Sequence, residues 1–184
     1  EVPEVVDKFP LPRLLDILIQ VCQTLAFAHE MGVIHRDIKP ANIIVGKFGE
    51  VYVLDWGLAK IKGTQSLVQG AISEEPLPKD FKLTPTGRHY GTPMYMSPEI
   101  ATGDPNLDER SDVFALGVIL FEMLTLQSFV DGEDIIEIKE KILEKPYPLP
   151  REVAPHREIP RDLQALCMKA LQCKKSRRYP NIIQ

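Results

Sequence analysis

The first strong signal along the chain is periodic. After Pro10-Leu11-Pro12, apolar residues recur at three- and four-residue steps as Leu14, Leu18, Val21, Leu25 and Ala28, and Gly32 follows them. That spacing lines one stripe of a helix, with proline at the first turn and glycine just past the last. Two short apolar runs come next, Asn42 to Val45 and Glu50 to Leu54, joined by Gly46-Lys47-Phe48-Gly49, a connection of the length that links antiparallel strands. From Ile61 to about Tyr90 the periodicity disappears and Gly, Pro, Ser, Thr and charged residues dominate. A structureless loop of that length inside a compact domain is usually functional or disordered.

The second half of the pattern is helical. Asp112 to Leu124 is apolar nearly all round, as expected of a helix at the centre of a core, whereas Ile135, Ile138 and Ile142 mark an amphipathic helix. Leu163, Leu166, Cys167, Ala170 and Leu171 form another stripe, reached through a proline-rich connector from Pro146 to Pro160. The fold class expected is α+β: one domain over 1–184, mainly helical, with a small β-hairpin. Both ends look cut, because the chain starts at Glu1 rather than Met and Tyr179-Pro180 opens a new segment just before Gln184.

Composition narrows the function classes. The chain has 184 residues, 22 basic against 26 acidic side chains, a net charge of −4 and 44% hydrophobic residues, so a single hydrophobic core suffices to hold it. Without a basic run it lacks the electrostatic footprint of a nucleic-acid or polybasic membrane contact. The longest unbroken apolar stretch, Val113 to Phe121, falls well short of the ~20 residues that span a bilayer. Cys22, Cys167 and Cys173 are odd in number and lack CxxC spacing, which fits free thiols in a reducing compartment. The expected location is cytoplasmic, any membrane anchor of the parent protein lying outside this segment.

Candidate chemistry concentrates between the first helix and the hairpin, in His35-Arg36-Asp37-Ile38-Lys39-Pro40-Ala41-Asn42, with Asp55-Trp56-Gly57 at the end of the second apolar run. Alone, an aspartate after arginine is a solvated loop residue and one at a strand end is a turn former. Further on stand Gly91-Thr92-Pro93-Met94-Tyr95-Met96-Ser97-Pro98-Glu99 and Ser111-Asp112-Val113-Phe114-Ala115-Leu116-Gly117. In this order the motifs resemble the catalytic loop, metal-binding loop, activation-segment end and central helix of eukaryotic-type serine/threonine protein kinases, bacterial members in particular.

The resemblance implies a fold and a set of roles. Asp37 would orient the substrate hydroxyl, Lys39 would meet the γ-phosphate, and Asn42 and Asp55 would offer hard oxygens to magnesium or manganese beside ATP. Ile44 would be the apolar floor under adenine, with Ile43 and Val45 pointing to the core. Lys39 also favours Ser/Thr over Tyr acceptors. His35 and Asp112 would tie the catalytic loop to the central helix, and Glu99 would pair with Arg178. The stretch 55–99 would be the activation segment, long for the family, with Thr84 and Thr86 as phosphosites, Arg36 and Lys60 as their basic pocket, and Thr92 on the substrate-facing loop. Trp56 stands where the family carries Phe.

One part of the family pattern is missing from these residues. The sequence contains no GxGxxG loop, no strand with the phosphate-pairing Lys and no helix with its Glu partner, which all belong to the smaller N-terminal lobe. The expectation is therefore the larger, C-terminal lobe, nearly inactive by itself. Its partners would be a protein substrate, the missing N-lobe and a second copy, met through the exposed face or by exchange of the activation segment. The other readings are a pseudokinase or interaction module with a kinase fold, and a small-molecule phosphotransferase; Lys39 and the segment ending at Glu99 favour a protein substrate over the latter.

Overall fold

A computed structural model describes residues 10–61 and 93–184. Helix α1 (Leu11–Glu30) starts on Pro10, whose carbonyl accepts from the Leu14 amide, and ends where Gly32 takes a left-handed conformation (φ 76°). Strand β1 (Val33–Ile34) follows, then a 3₁₀ turn (Pro40–Asn42), β2 (Ile43–Val45) and β3 (Val51–Val53). Strands β2 and β3 pair antiparallel, Ile44 opposite Tyr52, around a turn in which Gly49 has φ 93°. Strand β4 (Lys60–Ile61) returns to pair with β1.

The remaining helices are α2 (Pro98–Ala101), α3 (Arg110–Thr125), α4 (Ile135–Leu143), α5 (Pro150–Val153) and α6 (Arg161–Ala170). Helix α3 runs through the core and buries Phe114, Val118, Phe121 and Leu124, with α1 on one side and α6 on another. Phe114, Phe121, Phe129 and Tyr147 meet edge to face around it, an arrangement that suits aromatic quadrupoles. The three cysteines are free; burial pushes the Cys22 thiol up to about 11, against a backbone hydrogen bond that lowers it, and Cys167 up to about 12.

The sequence expectation needs several corrections. Val45 shares the inward face of Ile43 yet is 40% exposed, because it borders an open groove with Leu14, Ile17 and Met123. Leu166, expected on the buried stripe of α6, is 45% exposed at the rim of a second groove between α1, α3 and α6. The proline-rich connector contains α5, which starts with Pro150 at a first-turn position where no amide is needed. Helix α1 is long and apolar enough, by length and composition, to cross a membrane (mean hydropathy 1.3), which a search for unbroken apolar runs overlooks since Arg13 and Asp16 interrupt it. Here Ile17, Leu18, Val21 and Leu25 of α1 are buried.

Candidate active site

The loop from His35 to Asn42 is held from behind. Asp112, in the first turn of α3, is 1% exposed; its Oδ1 accepts from the Arg36 amide (2.8 Å) and its Oδ2 from the His35 amide (2.9 Å). A carboxylate in a first helical turn also meets the positive end of the helix dipole. His29, at the end of α1, places Nε2 2.7 Å from the same Oδ2. The His35 ring accepts the Asp37 amide at Nδ1 (3.2 Å), so Nε2 carries the proton and donates to the Leu54 carbonyl (3.0 Å). This joins the loop to the end of β3, where Asp55 follows.

Asp37, Lys39 and Asn42 stand together. Lys39 Nζ is 2.7 Å from Asp37 Oδ2, and Asn42 Nδ2 donates to the Asp37 carbonyl (2.8 Å) and to Oδ2 (3.2 Å). With its NH₂ group so engaged, Asn42 keeps its side-chain oxygen for another partner. Among the described residues no donor takes the Asp55 carboxylate, which is solvent-facing on a left-handed residue (φ 60°). Arg36 also has positive φ (72°), and such conformations persist in non-glycine residues only where the surroundings impose them. The Trp56 ring lies 4.5 Å from that of His35 and its Nε1 donates to the Val53 carbonyl (3.0 Å).

The remaining expected residues are placed unevenly. Ile44 is 48% exposed, on the same hairpin face as Tyr52. Lys60 is placed by its backbone in β4 opposite Ile34. Thr84, Thr86, Thr92 and most of the stretch 55–99 lie outside the described residues.

Glu99 and Arg178 form a buried bidentate pair, Nη1 to Oε1 at 2.6 Å and Nη2 to Oε2 at 2.7 Å. Arg178 also donates to the carbonyls of Gln172, Cys173 and Arg110, which uses every guanidinium N–H, and stacks over Phe114 at 4.9 Å. Burial alone would push the Glu99 carboxyl up; the Arg178 hydrogen bonds and charge, with the Ser111 hydroxyl (2.8 Å), outweigh it and hold Glu99 below the usual carboxylate range. Nearby, Tyr95 donates to Glu122 at 2.7 Å, and burial pushes both groups up. Sequence reasoning missed His29, Ser111 and the Tyr95–Glu122 contact. Only Ser111 had a local signal, its place beside Asp112.

A loop of the sequence His35 to Asn42 tied to a buried aspartate of the central helix and to the end of the following strand, where Asp55 stands, is the pattern of a protein kinase domain. The protein kinase domain family model matches residues 6–181, and the chain belongs to that family. It is similar to bacterial serine/threonine kinases. It is 40% identical over 171 residues to the serine/threonine-protein kinase PknD of Protochlamydia amoebophila, an alignment covering 92% of this chain and 17% of that protein. With PknD of Chlamydia pneumoniae it shares 38% over 186 residues (98% and 19%), and with PknD of Chlamydia trachomatis serovar D 35% over 185 residues (97% and 19%). The chain thus spans less than a fifth of the length of these curated relatives.

Proposed function

We propose that the protein carrying this chain transfers the γ-phosphoryl group of ATP to serine or threonine hydroxyls of other proteins. The hydroxyl oxygen bonds to the γ-phosphorus, the bond to the β,γ-bridging oxygen breaks to release ADP, and the hydroxyl proton passes to the Asp37 carboxylate. Lys39, 2.7 Å from that carboxylate, would contact a γ-phosphate oxygen and spread its charge. Asn42 and Asp55 fit magnesium: among the described residues no donor takes the amide oxygen of the one or the carboxylate of the other. Among the described residues no group of three His, Cys, Asp or Glu side chains could hold a metal. A two-ligand site completed by phosphate and water oxygens is what magnesium usually takes in such enzymes. When bound, the ion would neutralise phosphate charge; manganese would serve alike.

The observation that carries the reading is the Asp37–Lys39–Asn42 constellation, held rigid from α3. The chain itself is read as the larger lobe, over 1–184, with the activation segment at 55–99 and Thr84 and Thr86 as phosphosites docking on Arg36 and Lys60. Without a glycine-rich loop and its lysine among these residues, the chain alone transfers phosphate very slowly.

The test is phosphosite mapping of the full-length protein after incubation with Mg·ATP, beside Asp37→Asn. The expected result is phosphate at Thr84 or Thr86, lowered about 10²-fold or more in the variant. Bound ATP with no phosphate transfer in the wild type would instead support a pseudokinase.

A further inference from the structure

His29 is absent from the roles above, yet it touches the anchor of the catalytic loop. Its ring is buried, and Nε2 lies 2.7 Å from Asp112 Oδ2, the oxygen that also accepts the His35 amide. A carboxylate oxygen accepts, so Nε2 donates. Nδ1 is buried and has no hydrogen-bond partner among the described residues. A side chain serving only to fill this space would do better without that unsatisfied nitrogen. What the imidazole adds is therefore one N–H, aimed at Asp112.

That N–H decides how Asp112 sits. Among the described residues no lysine or arginine reaches the carboxylate, and His29 is the basic side chain beside it. The loop amides approach the two oxygens from the loop side, while His29 reaches Oδ2 from α1. Donors on both oxygens and from two elements leave the carboxylate little freedom to rotate. The amide of Arg36, which holds φ 72°, donates to Oδ1, the other oxygen of the carboxylate so fixed, and Asp37 is the next residue. A shift of about 1 Å at a reacting group can cost ~10²-fold in rate.

We propose that His29 is a positioning residue for phosphoryl transfer, its Nε2–H locking the Asp112 carboxylate that holds the His35 and Arg36 amides and so places Asp37. The proposal rests on the kinase reading for its effect on rate, not for its effect on the loop.

The test uses the full-length protein with His29→Leu, which fills the space without a donor, and His29→Gln, whose amide N–H reaches about as far as Nε2. Two quantities are read: amide hydrogen exchange at His35 and Arg36 relative to the centre of α3, and kcat against KM for Mg·ATP. In His29→Leu the loop amides are expected to exchange about tenfold faster with α3 unchanged, and kcat to fall about tenfold with KM within about twofold. His29→Gln is expected to restore most of both. Unchanged exchange and kcat in His29→Leu would overturn the proposal, as would losses shared with α3 that His29→Gln does not repair. Should the leucine variant fail to fold, His29→Asn replaces it, since its N–H falls where Nδ1 lies and should not restore the hold. A wild-type protein without transfer would sink the kinase reading, while the exchange comparison still decides the role of His29.

Discussion

Arg178 draws together residues distant in sequence: Glu99, the carbonyl of Arg110, and the turn at Gln172 and Cys173. Removing one partner leaves the other charged and buried, so Glu99→Ala or Arg178→Ala should each cost about 3–5 kcal/mol in denaturant unfolding. Lysine cannot replace the planar fork, and Arg178→Lys should keep little of that stability. The pair also sets an acid sensitivity. Since Glu99 titrates lower in the folded state than its ordinary value of 4.5, its contribution is fully present above that value and is lost as pH falls through the lowered one. Stability measured from pH 7 downward should therefore show wild type and Glu99→Gln converging below about pH 4; parallel curves would refute this. At this scale the sequence is informative where spacing is short. Asp37, Lys39 and Asn42 fall within one run, so their nearness is legible directly. His29 is not: a histidine on an apolar helical face reads as core, and its partner lies 83 residues away.

Among the elements, α3 and α6 approach closely where Gly117 faces Ala170. A methyl group built on Gly117 would lie 2.9 Å from Ala170 Cβ and 3.3 Å from its backbone carbon. Helix propensity favours Gly117→Ala by up to about 1 kcal/mol, but overpacking against backbone costs typically 1–3 kcal/mol. The net expectation is a loss of about 1 kcal/mol, recovered when Ala170→Gly is added; a stabilised single variant in thermal unfolding would contradict the close packing. Legibility differs among elements for a physical reason. Helices α1, α4 and α6 announce themselves because several residues repeat a period, and α3 and the β2–β3 hairpin because their apolar residues run together. Strands β1 and β4 hold two residues each, too few for any alternation, and pair only through the chain's return. Helix α5 hides among prolines, since proline marks a break as readily as a helix start.

For the molecule as a whole, the hairpin leaves Ile44, Tyr52 and Leu54 on an exposed face, with Leu58 beside the Asp55 turn and Phe48 at the hairpin tip. We expect this apolar surface to drive self-association of the chain when no other polypeptide covers it. Sedimentation velocity over rising concentration should show an increasing average mass; a constant monomer would refute the expectation. The alanine-to-glycine and carboxylate variants above leave this face untouched and serve as controls. The Glu99–Arg178 pair has a further meaning for the order in which the protein is made. The two residues are 79 apart, so a growing chain leaving the ribosome exposes Glu99 well before its counter-ion exists. At ~5–20 residues per second the wait is roughly 4–16 s. Throughout that interval the segment entering α2 cannot bury its carboxylate, and the domain reaches its final packing only after synthesis has passed Arg178.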